Sequence, residues 1–470
     1  MENSLQKKVT LTSLIRYTLP TIAMMIFFSF YTIVDGMFIS QFVGANALSA
    51  TNIVFPVINL ILGVGIMFAT GGSAIVARKM GEGKDKEARE NFTLITISAL
   101  VIGLVIEIIS IVFMKEIIYA LGATKALYFN SREYLLFMVV FTPFILLKIY
   151  FDYFLVTAGV PNLGLISGIV GGIVNIVLDY VFIVKLNMGV RGAALATCIG
   201  YIVPSFVGIV YFMNKKHTLH FVKTKFNFNV IKNSCANGSS EMVTQLSQAV
   251  TTFIYNLVLI KLLGEDGVAS ITIMLYIQML LNAAYIGFTS GVQPRISYNY
   301  GSQNKDQLQK LIKYSLIIIS VFGVTTFVVS RQMSEILISI FATKNTDLFD
   351  IAHNGFLLFS IGFLVEGINI FSSGMFTAFS NGKVSALISL LRTFIFFAVG
   401  ISILPNIFGV NGVWLVVPFA EFTTLVISLS LIFVPLILDS SQYSIVTCTL
   451  PFLSSFVNTL RQILHFLNII

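Results

Sequence analysis

The sequence predicts an all-α polytopic membrane protein of twelve transmembrane helices, built as two six-helix bundles of which the second repeats the first. Composition is the first observation: 56% of the 470 residues are hydrophobic and 11% are charged, with a mean hydropathy of +0.91, so most of the chain cannot face water. Spacing is the second. Apolar runs of about 20 residues, the length at which a helix crosses a bilayer, recur from end to end, whereas the short strands of alternating polarity that build a membrane barrel are not seen. The third is an internal repeat: residues 42–81 match residues 262–301 at a constant offset of 220 without a gap.

At that offset Gly44, Gly71 and Gly81 fall on Gly264, Gly291 and Gly301, and Thr157-Ala158 falls on Thr377-Ala378. Much later, Gly189-Val190-Arg191-Gly192 falls on Gly409-Val410-Asn411-Gly412. A period this long is not that of a solenoid. It marks a duplicated domain.

The first apolar segment, Leu14 to Ile39, holds Pro20 and Asp35 and lacks a small-residue cleavage site, so it reads as a helix and not as a removable leader. Apolar runs bounded by charge, Gly or Pro place the first bundle's spans near 14–40, 50–77, 92–113, 133–157, 164–185 and 193–213. The second bundle's lie near 237–261, 269–297, 311–330, 353–379, 384–404 and 413–436. Six spans return the chain to its starting side, so the halves are parallel repeats about a pseudo-twofold axis along the membrane normal. The resulting division is a first lobe over 1–213, a polar, basic and irregular linker over 214–236, a second lobe over 237–438, and an unrepeated tail over 439–470. Phe452, Phe456, Leu460, Ile463, Leu464 and Leu467 recur at helical spacing in that tail, which suits a helix lying at the bilayer interface.

A formal net charge of +8 suggests nucleic acid in a soluble protein, but here the bases sit mostly in loops between apolar runs. They cluster at Lys7, Lys8 and Arg16, at Arg78 to Arg89, along the linker from Lys215 to Lys232, and at Arg295 to Lys313. Loops on the other side carry fewer. The positive-inside rule then puts both termini and the linker on the cytoplasmic side of the cell membrane, with lipid as partner and nucleic acid excluded. Cys198, Cys235 and Cys448 form no CxxC pair and read as packing residues. His217, His220, His353 and His465 lie in the linker, at a helix end or in the tail, so no intramembrane metal or haem cluster is expected, and the linker pair reads as solvated.

Enzymatic signatures are scarce. No nucleophile with an adjacent base, no P-loop and no GxGxxG stands out, and Gly81-Glu82-Gly83-Lys84 reads as a cytoplasmic turn. No catalytic residue and no cofactor is expected. What remains is a set of ionisable residues inside apolar runs, costly enough in lipid to be read as functional: Asp35, Glu107, Lys148, Asp152, Asp179, Glu366, Arg392 and Glu421. Asp35 must face an interior or a cavity and suits a proton carrier. Asn175 and Asp179, four apart, project from one helix face, where an amide and a carboxylate can share a proton, a cation or water. Thr197 adds a hydroxyl if its helix is adjacent. The competing reading of these groups is that they cap or bridge helices.

Asp152 lies four residues after Lys148, which fits a simple ion pair as well as a substrate contact. Glu107 reads as an inter-helix hydrogen-bonding group. Glu366, Arg392 and Glu421 read as a buried ion-pair network holding the second bundle, with a substrate role open for Glu366. Gln245, Gln248, Asn256, Gln278 and Asn282 suit the polar wall of a central cavity, the last two on one face, and inter-helix hydrogen bonding explains them almost as well.

Val34-Asp35, then Gln41-Phe42-Val43-Gly44-Ala45-Asn46-Ala47-Leu48-Ser49-Ala50, Phe55-Pro56-Val57 and Gly81-Glu82-Gly83, in this order and spacing, resemble the multidrug and toxic compound extrusion family, in its DinF-like branch of the MepA type. Gln293-Pro294, Tyr298-Asn299-Tyr300-Gly301, Leu391-Arg392-Thr393 and Gly412-Val413-Trp414 extend the likeness over residues 10–436. The resemblance implies two six-helix lobes around a central cleft, exporting small organic cations in exchange for H⁺ or Na⁺. It places ion coupling on Asp35, Asn175, Asp179 and Thr197, which would also hold any Na⁺, and makes Asp152 the fourth-helix acid of that type. Gln278, Asn282 and Glu366 join Asp152 as substrate-binding candidates, and Pro20 matches a first-helix proline at which that helix bends. The branch that relies on second-lobe acids finds here only loose counterparts, Glu241 and Glu366.

The sequence thus reads as a monomeric secondary exporter working by alternating access. A flippase of lipid-linked sugars is the rival of similar shape, but it should carry more Arg and Lys in its cavity to grip pyrophosphate. A membrane-embedded transferase should show a His or Asp constellation at a loop, and a channel fits duplicated lobes with sparse buried acids less well. Along the offset of 220, Asp35 falls on Tyr255, Asp179 on Val399 and Glu366 on Leu146, which puts ion coupling in the first copy alone.

Overall fold

In the computed structural model, which describes residues 5–438, the chain forms helices α1 (Leu11–Phe38), α2 (Ala45–Gly81), α3 (Asp85–Val112), α4 (Met114–Ala120), α5 (Lys125–Val140), α6 (Thr142–Thr157), α7 (Pro161–Asp179) and α8 (Val190–Met213). The second half follows with α9 (Phe228–Gly301), α10 (Lys305–Gln332), α11 (Ser334–Ser339), α12 (Asp347–Phe359), α13 (Phe363–Ala378), α14 (Gly382–Leu390), α15 (Phe396–Phe408), α16 (Val410–Trp414) and α17 (Val416–Leu438). The tail over 439–470, with Cys448 and His465, lies outside the described residues.

The twelve expected spans are all present as helix, with breaks the sequence did not announce. The fourth is α5 and α6, bent by 56° between Val140 and Thr142. The tenth is α12 and α13 joined by a 3-10 turn, Ser360–Gly362, and the eleventh is α14 and α15 joined by a π-helical turn, Leu391–Ile395. The long α9 holds two spans, because Gly264 interrupts it with φ 66° and ψ −149°.

The repeat is carried in backbone angles as well as letters. Gly44, the counterpart of Gly264, also has positive φ, at 107°, and the pair Gly189 and Gly409 agree at φ 59°, ψ −138° and φ 58°, ψ −136°. A side chain at these angles crowds the neighbouring carbonyl, so glycine is what lets the chain turn there between consecutive helices.

The two bundles meet through α1, α2 and α9. A Cβ on Gly71 would strike the backbone of Ser234 and Gly238, and one on Gly291 would strike Thr18 and Thr21. Since 71 maps to 291 and 238 maps to 18 at the offset of 220, these are the same contact made twice. Gly81 lies against the Tyr298 carbonyl while Gly301 lies against that of Arg78, again an exchanged pair. This reciprocity is what a twofold axis produces. In lipid, where apolar surface gains nothing by leaving the solvent, such small-residue contacts let helices approach closely enough for dispersion and polar contacts to hold them.

Burial follows the contact. From Ile61 to Met80, α2 has no exposed residue, and the same holds for α9 from Gly287 to Tyr300. Toward the opposite end of these spans Asn52, Phe55, Pro56 and Leu60 of α2 are exposed, as are Phe253, Leu257, Thr272 and Tyr276 of α9. The bundles are therefore pressed together at one end, which we call the closed end, and part toward the other.

The closed end carries the basic loops. After Gly81 the chain turns at Gly83, φ 73°, and Glu82 accepts from Arg78, Lys79 and Lys84 at 3.1, 3.2 and 3.0 Å. The irregular linker is shorter than expected: it ends at Asn227, and residues 228–236 form the first turns of α9, where Ser234 is fully buried against α2. His220 is buried, not solvated, with Nδ1 2.8 Å from the His217 carbonyl, and His217 stacks on Tyr211. Arg295, expected as a loop charge, is 1% exposed; it donates to the Lys7 carbonyl at 2.8 Å and to Ser13 Oγ at 3.3 Å and lies over the Tyr17 ring. The residues ahead of α1 are thereby tied to the second bundle, as the Val9 N–H to Gln307 bond, 2.6 Å, repeats.

Overpacking a tight contact costs about 1–3 kcal/mol. Gly71→Val and Gly301→Val should each lower the thermal unfolding midpoint by several degrees in detergent, while Gly164→Ala, whose Cβ would meet its nearest neighbours only at 3.9 Å, should leave it unchanged. Equal effects from all three, measured by dye-monitored melting, would remove the glycine contact from its structural role.

Candidate functional site

Asp35 sits in the last turns of α1, where the Ile39 N–H donates to the Asp35 carbonyl as the helix widens into a π-helical stretch, Ile39–Val43. Asp179 is the last residue of α7, followed directly by a second such stretch, Tyr180–Lys185. Widened turns of this kind concentrate at functional positions. Here two helices both change their winding beside an acid, half-buried at Asp35 and buried at Asp179.

Asp179 is 0% and Asn175 1% exposed, and the Asp35 carboxylate lies within hydrogen-bonding reach of the Asp179 and Thr197 side chains. Asn175 Nδ2 reaches Thr197 Oγ1 at 3.5 Å, while Thr197 donates its own hydrogen to the Ala193 carbonyl at 3.0 Å. The hydroxyl therefore presents lone pairs, not a proton, to the cluster. Asp35 Oδ1, both carboxylate oxygens of Asp179 and Asn175 Oδ1 are buried with no partner. The four residues expected to act together are thus brought together, as a cluster of mostly unpartnered oxygens whose one amide donor is turned to Thr197.

Two carboxylates in contact away from water do not both keep their charge unless a cation joins them. The cluster has two ways to complete itself: take up a proton shared between Asp35 and Asp179, or bind a small hard cation through its oxygens. Both uptakes are reversible when the site is opened to water. Tyr31, Tyr134 and Tyr201, all buried, ring this cluster, with Tyr134 and Tyr201 in electrostatic range of Asp35. Sequence reading missed them because a tyrosine in an apolar run has no period of its own that separates a wall residue from a packing one.

Asp152 is not a free acid. Lys148 Nζ lies 2.8 Å from its Oδ2, and both side chains are buried, so the ion-pair reading is the one observed. Pro20 is buried inside α1, which continues unbroken through it.

The second bundle departs from expectation. Arg392 pairs with Glu421 at 3.4 Å, and Asn369 Nδ2 donates to Glu421 Oε2 at 2.7 Å. Glu366 is not in that ion pair: its Oε1 accepts from Gln278 at 3.0 Å and from Asn282 at 2.6 Å, and its Oε2 is left without a partner. The shared face of Gln278 and Asn282 is confirmed, and it closes on Glu366. Arg392 itself lies in the third π-helical turn, Leu391–Ile395, so every such turn among the described residues adjoins or holds an ionisable group that is at least half-buried. Glu107 makes no inter-helix hydrogen bond among the described residues; it is half-buried between exposed Leu104, Val105 and Ile108.

Residues 20–181 and 242–401 both match the MatE family model, one match per bundle. The multidrug export protein MepA of Staphylococcus saprophyticus is 24% identical over 416 residues, covering 87% of this chain and 89% of its own. Among solved structures, a multidrug resistance MATE family transporter of the MOP superfamily in its outward-facing conformation superposes with a TM-score of 0.85 at 21% identity, over 90% of this chain and 95% of that one. A MOP superfamily transporter from Pyrococcus furiosus, described as having a binding pocket of reversed polarity that suggests a different function, gives the same TM-score and identity over 91% and 96%. These likenesses establish the two-lobed helical fold.

Breaking a buried ion pair costs about 3–5 kcal/mol because the survivor stays charged and unpaired, whereas removing both partners costs far less. Arg392→Met should therefore sharply reduce the yield of monodisperse protein, and Arg392→Met with Glu421→Gln should recover most of it. Size-exclusion profiles of the two variants make the check; a double variant as poor as the single one would show that Arg392 acts elsewhere.

Proposed function

Because the chain belongs to the MatE family of membrane transporters, we propose that it is a secondary multidrug exporter, moving organic cations out of a bacterial cell in exchange for H⁺ or Na⁺. The observation that carries the coupling reading is the contact of Asp35 with Asp179 in a cluster of unpartnered oxygens. An emptied cluster holds unfavourable charge, so ion uptake is favourable and changes the packing of the first bundle around it. That change is the lever by which an entering ion weakens the hold on substrate.

Which side is which follows from charge. The closed end carries Arg78, Lys79, Lys84 and the lysines of the linker, which the positive-inside rule assigns to the cytoplasm, with both termini. The arrangement described is then one open to the outside, in which ions enter and substrate leaves. Return requires the glycine contacts between α2 and α9 to part and the bundles to rock about the pseudo-twofold axis. The linker from Asn214 to Asn227 has no regular structure to resist that motion. Each charge moved down about 100 mV supplies about 2.3 kcal/mol, so no hydrolysis is needed. The chain works as a monomer in this scheme, since each cluster is built from one copy.

The rival, a flippase of phosphorylated lipids, needs a basic cavity. The first bundle buries Asp152 and Asp179, with Asp35 half-buried beside Asp179, against one lysine, while its other buried acid, Glu133, is paired with Arg191; this balance favours cationic cargo.

Asp35→Asn or Asp179→Asn should abolish dye efflux from cells while leaving the protein in the membrane; efflux at wild-type rates from both would sink the coupling site. Asp152→Ala should weaken export of some cations more than others. Proteoliposomes given a pH gradient or a Na⁺ gradient separately assign the ion, and if neither drives uptake of an organic cation the antiport reading fails.

A further inference from the structure

Lys148 is the only lysine buried among the described residues, and ion coupling does not use it. Its ammonium lies 2.8 Å from Asp152 Oδ2, 4.6 Å from the centre of the Phe28 ring and 5.7 Å from that of Tyr201. A carboxylate flanked by aromatic faces is the chemistry that recognises an organic cation. Here the chain's own cation fills it.

Two narrow crevices, neither with room for more than about one water molecule, adjoin the pair. One, inside the first bundle, is lined by Phe27, Phe28, Tyr31, Lys148 and Gly200 among others. The other reaches the bundle interface, with Met25, Asp152, Tyr153 and, from the second bundle, Ser290 on its wall. Met24 borders both, so a flexible thioether separates them. Packing alone does not call for an ammonium here, because an unbranched apolar side chain of similar length would fill the same space without the cost of burying a charge.

We propose that Lys148 is a tethered stand-in for the substrate: organic cations bind at Asp152 by displacing the lysine ammonium, and the ammonium returns to Asp152 as they leave. The flexible four-carbon stem lets the head group swing while its anchor stays fixed. Competition of this kind lowers the apparent affinity by the fraction of time the site is self-occupied, and it spares the emptied site an unpaired buried carboxylate. Because the competitor opposes every cation alike, all affinities fall together and the ranking among cations is left to the rest of the site. The proposal rests on the export reading above.

The test measures binding of tetraphenylphosphonium, a permanent cation without hydrogen-bond donors, to full-length protein in nanodiscs, with triphenylphosphine oxide as the uncharged control. Lys148→Gln should bind the cation about tenfold more tightly than the wild type, and the gain should vanish when Asp152→Asn is added. The control compound should not distinguish the variants. Affinity equal to or weaker than wild type in folded Lys148→Gln overturns the proposal. Should that variant not fold, Lys148→Arg supplies the second reading: a guanidinium grips a carboxylate through two hydrogen bonds, so binding should weaken several-fold, and unchanged binding overturns the exchange. If no variant and no wild-type protein binds the cation, the export reading fails instead, while binding that ignores residue 148 removes only the stand-in.

Discussion

Everything else in this fold depends on two helices meeting backbone to backbone at one end of the molecule. Glycines at 71, 81, 238 and 301 let α2 and α9 approach so closely that no β-carbon fits between them, and Gly291 does the same between α9 and α1. Lipid offers apolar surface no reward for clustering, so only close approach of this kind holds two bundles together. Because the contact is confined to one end, the bundles part toward the other. A contact along the full length would have produced a sealed eight- or twelve-helix block with no route in.

Much of that arrangement was legible in the sequence, for a physical reason. Apolar runs report directly on span number because lipid tolerates little else, and the glycines kept their register because both their positive φ and their close contacts exclude other residues. Gly44 and Gly264 share a turn, and Gly81 and Gly301 an exchanged contact, so the offset found in letters reappears as a symmetry axis in space. What the sequence did not disclose is pairing. Glu366, Arg392 and Glu421 read as one network because an arginine in the membrane needs acids, yet two amides on α9 reach Glu366 first. Partner choice among buried polar groups depends on helix rotation to within a fraction of a turn, which spacing alone does not fix. The winding changes after Asp35 and Asp179 were invisible for a similar reason: a π-helical turn adds no residue type that marks it.

The two bundles reach comparable electrical arrangements by different residues. In the first, Lys148 satisfies Asp152 and leaves Asp35 and Asp179 to each other. In the second, Arg392 satisfies Glu421 and leaves Glu366 to Gln278 and Asn282. One ion pair and a remainder of uncompensated acid recur in both, although no buried charge of one copy aligns with a buried charge of the other. The scaffold was duplicated by position, whereas the polar interior is alike only in its balance. The difference lies in how the remainder is held: amide donors fix Glu366, while both carboxylate oxygens of Asp179 and one of Asp35 have no partner.

Arg295 adds a constraint of another kind. Its guanidinium, buried in the second bundle, holds the carbonyl of Lys7 and the hydroxyl of Ser13, and Gln307 holds the Val9 N–H. Residues ahead of α1 and in its first turn thus find their partners almost three hundred residues later in the chain, on helices that do not yet exist while α1 is being inserted. Helix α1 must wait in the bilayer with its leading segment undocked until α9 and α10 arrive, so a segment made before the second bundle is seated only once that bundle has begun to form.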